Sequence, residues 1–237
     1  MLIEQDKYSM DNKETQSRAD YMRNIKRDDH MNRDKQPDEN SGVMIEGHIK
    51  IFDPNTNEEF VNKRNAIHYE NFSNSMAQTM ANRNLGQIYQ MTFGNGGSSV
   101  DSSGVITYLP PNTTGRNAEL YNQTFQKVVD DTSAANTDPS RNKLTVLHTS
   151  GKVYTDIIVS CLLDYGEPAG QEAFDNSTNL DGAFVFDELG LKSWQGSTTD
   201  LDLITHVIFH PVQKSLNRQI QIDYTVRIQT LTNLSST

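Results

Sequence analysis

The chain has 237 residues, with 31 acidic against 21 basic side chains, a formal charge of −10 at pH 7, and a hydrophobic share of 35%. That charge disfavours sequence-independent binding to nucleic acid, which needs Lys and Arg to neutralise phosphates. So low a hydrophobic share places part of the chain outside any core, or in a core shared with a neighbour.

A single cysteine, Cys161, excludes an internal disulfide. No apolar run approaches the about 18 residues of a membrane span, and the N-terminus has no signal-peptide apolar region. A soluble chain with no membrane partner is expected. Asn-x-Thr sequences such as Asn112-Thr113-Thr114 read as polar loop chemistry.

Residues 1–41 read as a charged arm. The first forty hold ten acidic and eight basic residues, with isolated apolar ones between them: Tyr8, Met10, Tyr21, Met22, Ile25 and Met31. Such a segment buries too little apolar surface to offset its ordering entropy in isolation. Ala19 to Asn32 has good helix formers and a short stripe of Tyr21, Met22 and Ile25. Two readings stand: a solvated tail, or an arm that orders on a neighbouring subunit. Forty extended residues reach about 130 Å, well beyond one domain.

From residue 42 to the end, a β-rich assembly domain is expected. His48 to Phe52 alternates, Asp53-Pro54-Asn55-Thr56-Asn57 is a turn cluster and Phe60-Val61 resumes, which predicts a hairpin. Ile67, Tyr69, Phe72, Met76, Met80 and Ala81 recur at helical spacing. They predict a helix capped by Asn65 or Asn71, with Gly86 stopping it and Asn71, Asn74, Gln78, Asn82 and Arg83 on its polar face. Gln87 to Phe93 reads as a strand with Tyr89, Met91 and Phe93 on one side. Residues 94–140 read as a long irregular stretch with short strands at Val105–Leu109 and Phe125–Val129, the kind of segment that serves as an interaction surface.

The last hundred residues carry the strongest β pattern. Leu144 to His148 alternates. Val153 to Leu163 places Val153, Ile157, Val159, Cys161 and Leu163 on one face and Ile158 and Leu162 on the other, as in a central strand. Leu203 to Phe209 is apolar on both faces. Ile220, Ile222, Tyr224, Val226 and Ile228 alternate with Gln221, Asp223, Thr225, Arg227 and Gln229, which predicts a half-exposed antiparallel strand. The expected fold is mainly β, an antiparallel sandwich or barrel with one packed α-helix and an extended N-terminal arm. No internal repeat is visible.

No catalytic, cofactor or metal residue is assigned, and an enzyme is not expected. Gly94-Asn95-Gly96-Gly97-Ser98-Ser99 follows a strand as a phosphate loop would, but lacks the Lys-Ser/Thr pair and a following helix, so it reads as a tight turn. His206 and His210 are four apart in a β-like run, which separates their side chains by about 13 Å, too far for one metal ion. Both read as satisfied or exposed histidines. Asp130-Asp131, Asp164 and Asp187-Glu188 supply carboxylates without a visible cleft. Cys161 reads as a small core hydrophobe. Trp194 reads as a core anchor under a loop, or alternatively as an interface hot spot.

Six segments occur together: Gly47-His48-Ile49-Lys50-Ile51-Phe52-Asp53-Pro54, Asn65-Ala66-Ile67-His68-Tyr69-Glu70-Asn71, Met91-Thr92-Phe93-Gly94-Asn95-Gly96-Gly97, Asp164-Tyr165-Gly166-Glu167-Pro168-Ala169-Gly170, Phe186-Asp187-Glu188-Leu189-Gly190-Leu191 and Thr205-His206-Val207-Ile208-Phe209-His210-Pro211. This set resembles a family of virion structural proteins of contractile-tailed phages, especially those infecting marine bacteria and cyanobacteria, over about residues 42–233. The arm is not covered. A fainter similarity is to the N-terminal attachment domains of tail-fibre proteins, through the helix at 66–84, Phe93–Gly97 and the acidic strand Glu188–Leu191. The long repetitive shaft of a full fibre is missing.

The resemblance implies a non-enzymatic connector or adaptor in the tail, baseplate or neck of the virion, assembled in the host cytoplasm. Its partners would be other virion proteins and further copies in a homo-oligomeric ring. Two alternatives are a capsid decoration or cement protein, and a carbohydrate-binding appendage module for which only Trp194 and Tyr165 are candidate stacking residues. Limited proteolysis of the dilute isolated subunit is expected to trim residues 1–40 well before the β domain. Equal resistance of arm and domain would contradict this reading.

Overall fold

Strand-forming alternation begins at Gly42, and a computed structural model describes residues 42–169, 183–215 and 217–231. The arm, and with it every expectation for residues 1–41, lies outside the described residues. In chain order the elements are β1 (Gly42–Phe52), β2 (Glu59–Arg64), β3 (Ala66–Ile67), α1 (Tyr69–Met80), β4 (Ile88–Gly94), β5 (Ser98–Val100) and β6 (Ile106–Tyr108). Then follow β7 (Gln123–Val128), β8 (Lys143–His148), β9 (Tyr154–Leu163), β10 (Ala183–Ser197), β11 (Asp200–Ser215) and β12 (Ile220–Leu231).

Two five-stranded antiparallel sheets form an open sandwich and not a closed barrel. The first sheet runs β2-β1-β12-β9-β8, the second β3-β11-β10-β4-β7, and β5 pairs with β6 as a separate hairpin. Among the described residues α1 is the one helix, and no helix is long and apolar enough to cross a membrane.

The core lies between the sheets. From the first sheet come Ile49, Ile51, Val159, Cys161, Leu163, Ile220, Ile222, Tyr224 and Val226, all buried. The second sheet contributes Met91, Phe93, Phe186, Leu189, Leu191 and Phe209, with Phe186 edge-on to both Phe93 and Phe209 at ring-centroid distances of 5.7 Å. The expected inward face of β12 holds from Ile220 to Val226, and Ile222 pairs with Cys161, Tyr224 with Val159 and Val226 with Ile157. Ile228 is an exception to the buried face, because the sheet end leaves it half-buried.

The helix departs from the sequence expectation in several ways. It starts two residues later than Ile67, which instead pairs as a strand with Thr205. Its cap is neither Asn65 nor Asn71 but His68, whose ring Nδ1 accepts the Asn71 N–H at 3.2 Å. Asn71 is buried, not solvent-facing, and donates from Nδ2 to the carbonyls of Arg116 (3.0 Å) and Leu203 (2.9 Å). The helix ends at Met80, before Gly86. Gly86 is needed for another reason: its φ is +87°, and a Cβ there would sit 2.2 Å from the Ser75 carbonyl oxygen.

The central strands of the second sheet are buried on both faces. β4 is buried throughout, not only at Tyr89, Met91 and Phe93. β10 was not anticipated by alternation, and it pairs with both β4 and β11. Trp194, near its end, is half-buried with its ring 4.8 Å from that of Tyr89.

Ile222→Ala or Val226→Ala leaves a cavity between the sheets and is expected to cost about 2–5 kcal/mol. Gln221→Ala and Gln229→Ala, on the half-buried outer face, are expected to cost under about 1 kcal/mol. Thermal or urea melts measure both. Equal losses on the two faces would contradict the observed register.

Candidate functional site

A strand normally sends consecutive side chains to opposite faces. Asp187 and Glu188 break that rule. The β10–β11 pairing slips between Phe186 and Glu188, with Phe186 opposite Val212 and Glu188 opposite Ile208. This irregularity aims both carboxylates at the same glycine-rich turn after β4.

Glu188 is fully buried and accepts four hydrogen bonds. Its Oε1 takes the N–H groups of Gly96 (3.0 Å) and Asn122 (2.8 Å), and its Oε2 takes Tyr121 N–H (2.9 Å) and His206 Nε2–H (3.0 Å). Asp187 Oδ1 takes Gly97 N–H at 2.9 Å, and its Oδ2 accepts the Ser98 hydroxyl. The turn therefore does receive an anion, as glycine-rich loops do, but the anion is the protein's own. Close approach explains the glycines: a Cβ on Gly94 would lie 2.4 Å from the Asn122 carbonyl oxygen.

His206 links this carboxylate to the loop beyond. Its Nδ1 accepts Asn112 N–H at 2.8 Å, so the ring proton sits on Nε2 and points at Glu188. His68 works the same way at the helix start: Nδ1 accepts from Asn71, and Nε2–H donates to the Gly115 carbonyl at 2.9 Å. Lys192 of β10 pairs with Glu119. Residues 94–122 are thus held on the outer face of the second sheet by buried polar groups, with only Ala118, Leu120 and Leu203 as a small apolar cluster beneath.

The two neighbouring carboxylates shift in opposite directions. Burial raises Glu188, but the His206 bond and the N–H groups of Asn122, Tyr121 and Gly96 outweigh it and leave the group below its ordinary value of 4.5. Burial also raises Asp187; its bonds to Ser98 and Gly97 do not compensate, and the Glu188 charge adds to the rise.

A second polar cluster lies where β9 ends and β12 begins. Asp164 accepts from Gln219 Nε2 at 2.7 Å, from Tyr165 N–H at 2.7 Å and from Arg141 at 2.6 Å. The Gln219 bond leads the causes that bring it down to about 2. Lys127 donates to the Leu162 carbonyl (2.7 Å) and pairs with Glu167. Lys214 is fully buried, and burial lowers it to about 8.

The other residues singled out by sequence are scattered. His210 is exposed, with Nδ1 3.0 Å from the Tyr108 hydroxyl. Asp130 holds a local turn through Thr132. Cys161 lies in the core, where burial pushes its thiol up to about 12. Tyr165 is exposed beside Asn55. No group of three or more His, Cys, Asp or Glu placed to hold a metal occurs among the described residues.

Compared with known proteins, the chain matches no family model, no curated protein and no solved structure.

Glu188→Gln keeps the size but puts an NH₂ where two N–H groups need an acceptor. The expected loss is about 2–5 kcal/mol, with faster amide exchange across residues 94–122. Because Glu188 is lowered on folding, its contribution is fully present above pH 4.5 and is lost as pH falls through the depressed value. Asp187, raised on folding, acts oppositely and relieves strain on the fold as it protonates. The stability gap between wild type and Glu188→Gln should therefore shrink as pH falls below about 4.5. Urea melts across that range test this, and a gap that grows with acid would refute it.

Proposed function

We propose that the chain is a non-enzymatic structural protein of a contractile-tailed phage virion, a connector or adaptor in the tail, baseplate or neck that acts by subunit–subunit binding. The observation that carries the reading is where the resembling segments meet. Met91–Gly97, Phe186–Leu191 and Thr205–His210 converge on the Glu188–His206 clamp, and Asp164–Glu167 forms the second polar cluster. These segments fix loops to a sandwich.

The ionisable groups support the same reading. Glu188, Asp187, His206 and His68 have their hydrogen-bonding atoms turned to backbone and neighbouring side chains. A general acid or base needs an atom free to meet a substrate. The buried thiol of Cys161, pushed up to about 12, suits packing and not nucleophilic attack.

Mass spectrometry of purified particles, followed by antibody-gold labelling, tests the proposal. The protein should be present in stoichiometric amounts and labelled at the tail, baseplate or neck. Label spread over the capsid shell would favour the decoration role instead. Absence from particles, or turnover of polysaccharide by the purified chain, would overturn the structural reading.

A further inference from the structure

At Asn65 the chain passes from one sheet to the other. As β2 it edges the first sheet, with Arg64 opposite His48; as β3 it edges the second, with Ala66 opposite His206. β3 covers only Thr205 and His206, so β11 from Val207 onward has no strand on that side among the described residues. A cavity of about 380 Å³ opens in this wedge. Its lining includes the bare stretch Val207–His210, then Tyr108, Leu109 and Pro111 of the clamped loop, and Lys63 and Arg64. The Tyr108 hydroxyl, 3.0 Å from His210 Nδ1, joins that loop to the strand.

Lys63 shows what the bare edge lacks. Alternation along β2 puts it on the same side as buried Val61, facing the second sheet, and its Nζ donates to the Ile208 carbonyl at 2.7 Å. Within a strand the N–H and C=O of one residue point the same way, so Ile208 offers both to the cavity. A lysine laid on an edge carbonyl blocks strand pairing. Here the block is conditional. A strand docking at Ile208 takes over that carbonyl with its own N–H and displaces the ammonium. No Asp or Glu lines the cavity, and Lys63 has no carboxylate partner among the described residues. A neutral segment gives the displaced ammonium only water in exchange, and a basic one repels it. A segment with a carboxylate at that place replaces an ammonium–carbonyl bond by a pair in which both partners are ionised.

The surroundings point the same way. Arg64 and His210 are exposed beside Lys63, and Arg64 has only a loose pair with Glu46 at 3.6 Å. A chain of net charge −10 thus carries a basic spot at an open strand edge. We infer that this wedge docks an extended acidic segment of another protein, which pairs with β11 at Ile208 and gives a carboxylate to Lys63. Main-chain bonds supply the pairing and alternate side chains the selectivity, as in other strand additions. Acidic side chains of the segment meet Lys63 and Arg64, while apolar ones meet Tyr108 and Leu109, which are 47% and 44% exposed. The inference goes beyond the virion reading and holds whatever assembly the chain belongs to.

Fluorescence anisotropy of the full-length chain with a labelled heptapeptide of alternating Val and Glu tests it. Binding should be saturable. It should weaken by about tenfold or more with Gln in place of Glu, and vanish with Lys in place of Glu. The Val/Glu peptide with alternate backbone amides N-methylated keeps its charge but loses main-chain donors, and should also bind about tenfold more weakly. On the chain, Lys63→Met and Arg64→Gln should each weaken binding by about tenfold. Lys152→Met, in the exposed connection between β8 and β9, should not. Lys63, Arg64 and Lys152 are all exposed, so thermal melts of these variants should match wild type.

Four results overturn the inference: no saturation by about 1 mM peptide, equal affinity for the Val/Gln peptide, equal affinity for the N-methylated peptide, or Lys63→Met binding like wild type. A virion location found elsewhere would leave each of them unchanged, so the two proposals fail separately.

Discussion

The Glu188 carboxylate is the group on which the outer half of this domain depends. It is an anion with no water around it, and it persists because four N–H groups converge on it from three chain segments: Gly96, the Tyr121–Asn122 pair and His206. An unpaired buried charge is far more costly than any single hydrogen bond is favourable. The arrangement is therefore close to all-or-none: the turn after β4, the start of β7 and the β11 histidine must arrive together, or none is stable. Residues 94–122 bury little apolar material of their own, Ala118 and Leu120 against Leu203. Ordering so long a segment costs conformational entropy at every residue. What offsets it here is mostly polar and directional, which fixes the loop in one geometry and not merely in one place.

The pairing slip at Asp187 makes this possible. In a regular strand Asp187 and Glu188 would face opposite sides, and one carboxylate would enter the inter-sheet core beside Phe186 and Phe209. The slip sends both to the loop side. The opposite shifts of the two carboxylates follow from how many donors each receives: four for Glu188, but only Gly97 N–H and the Ser98 hydroxyl for the more poorly supplied Asp187. Neighbouring residues of like chemistry thus come to differ through partner count, with the Glu188 charge adding to the Asp187 rise.

How much of this was legible in sequence depends on whether a feature is periodic. The alternation of Ile220 to Val226 gave both the strand and its buried face, and the mixed burial of Val153–Leu163 marked an interior strand. Those patterns arise because every second residue meets the same environment. Alternation did not show β10, of which only Glu188–Leu191 was named, by resemblance, because Asp187, Glu188, Lys192 and Ser193 are buried polar residues satisfied by distant partners, which no local pattern reveals. The His68 cap escaped for a similar reason. Ser, Thr, Asp and Asn are the usual capping side chains, and an imidazole serves here because its other nitrogen is needed by Gly115, forty-seven residues away. The clamp had one sequence signal, an acidic pair and a lone strand histidine in the same chain as a glycine-rich turn. Only the bulge and the fold connect them.

Committing the ionisable side chains to internal fixation has a consequence for what the surface can do. Buried His, Asp and Glu that already hold backbone N–H and C=O groups are poor at meeting a ligand, because each new bond would release a loop. Recognition then falls to groups without internal duties. Among the described residues, exposed apolar side chains of α1 and β8 and the open edge of β8 are groups of that kind. Apolar contact and edge pairing place few demands on the chemistry of a partner and strict ones on its shape. A loop locked by directional bonds holds its shape constant, so one face of the second sheet is fixed by polar bonds while the edge of the first is left apolar and open.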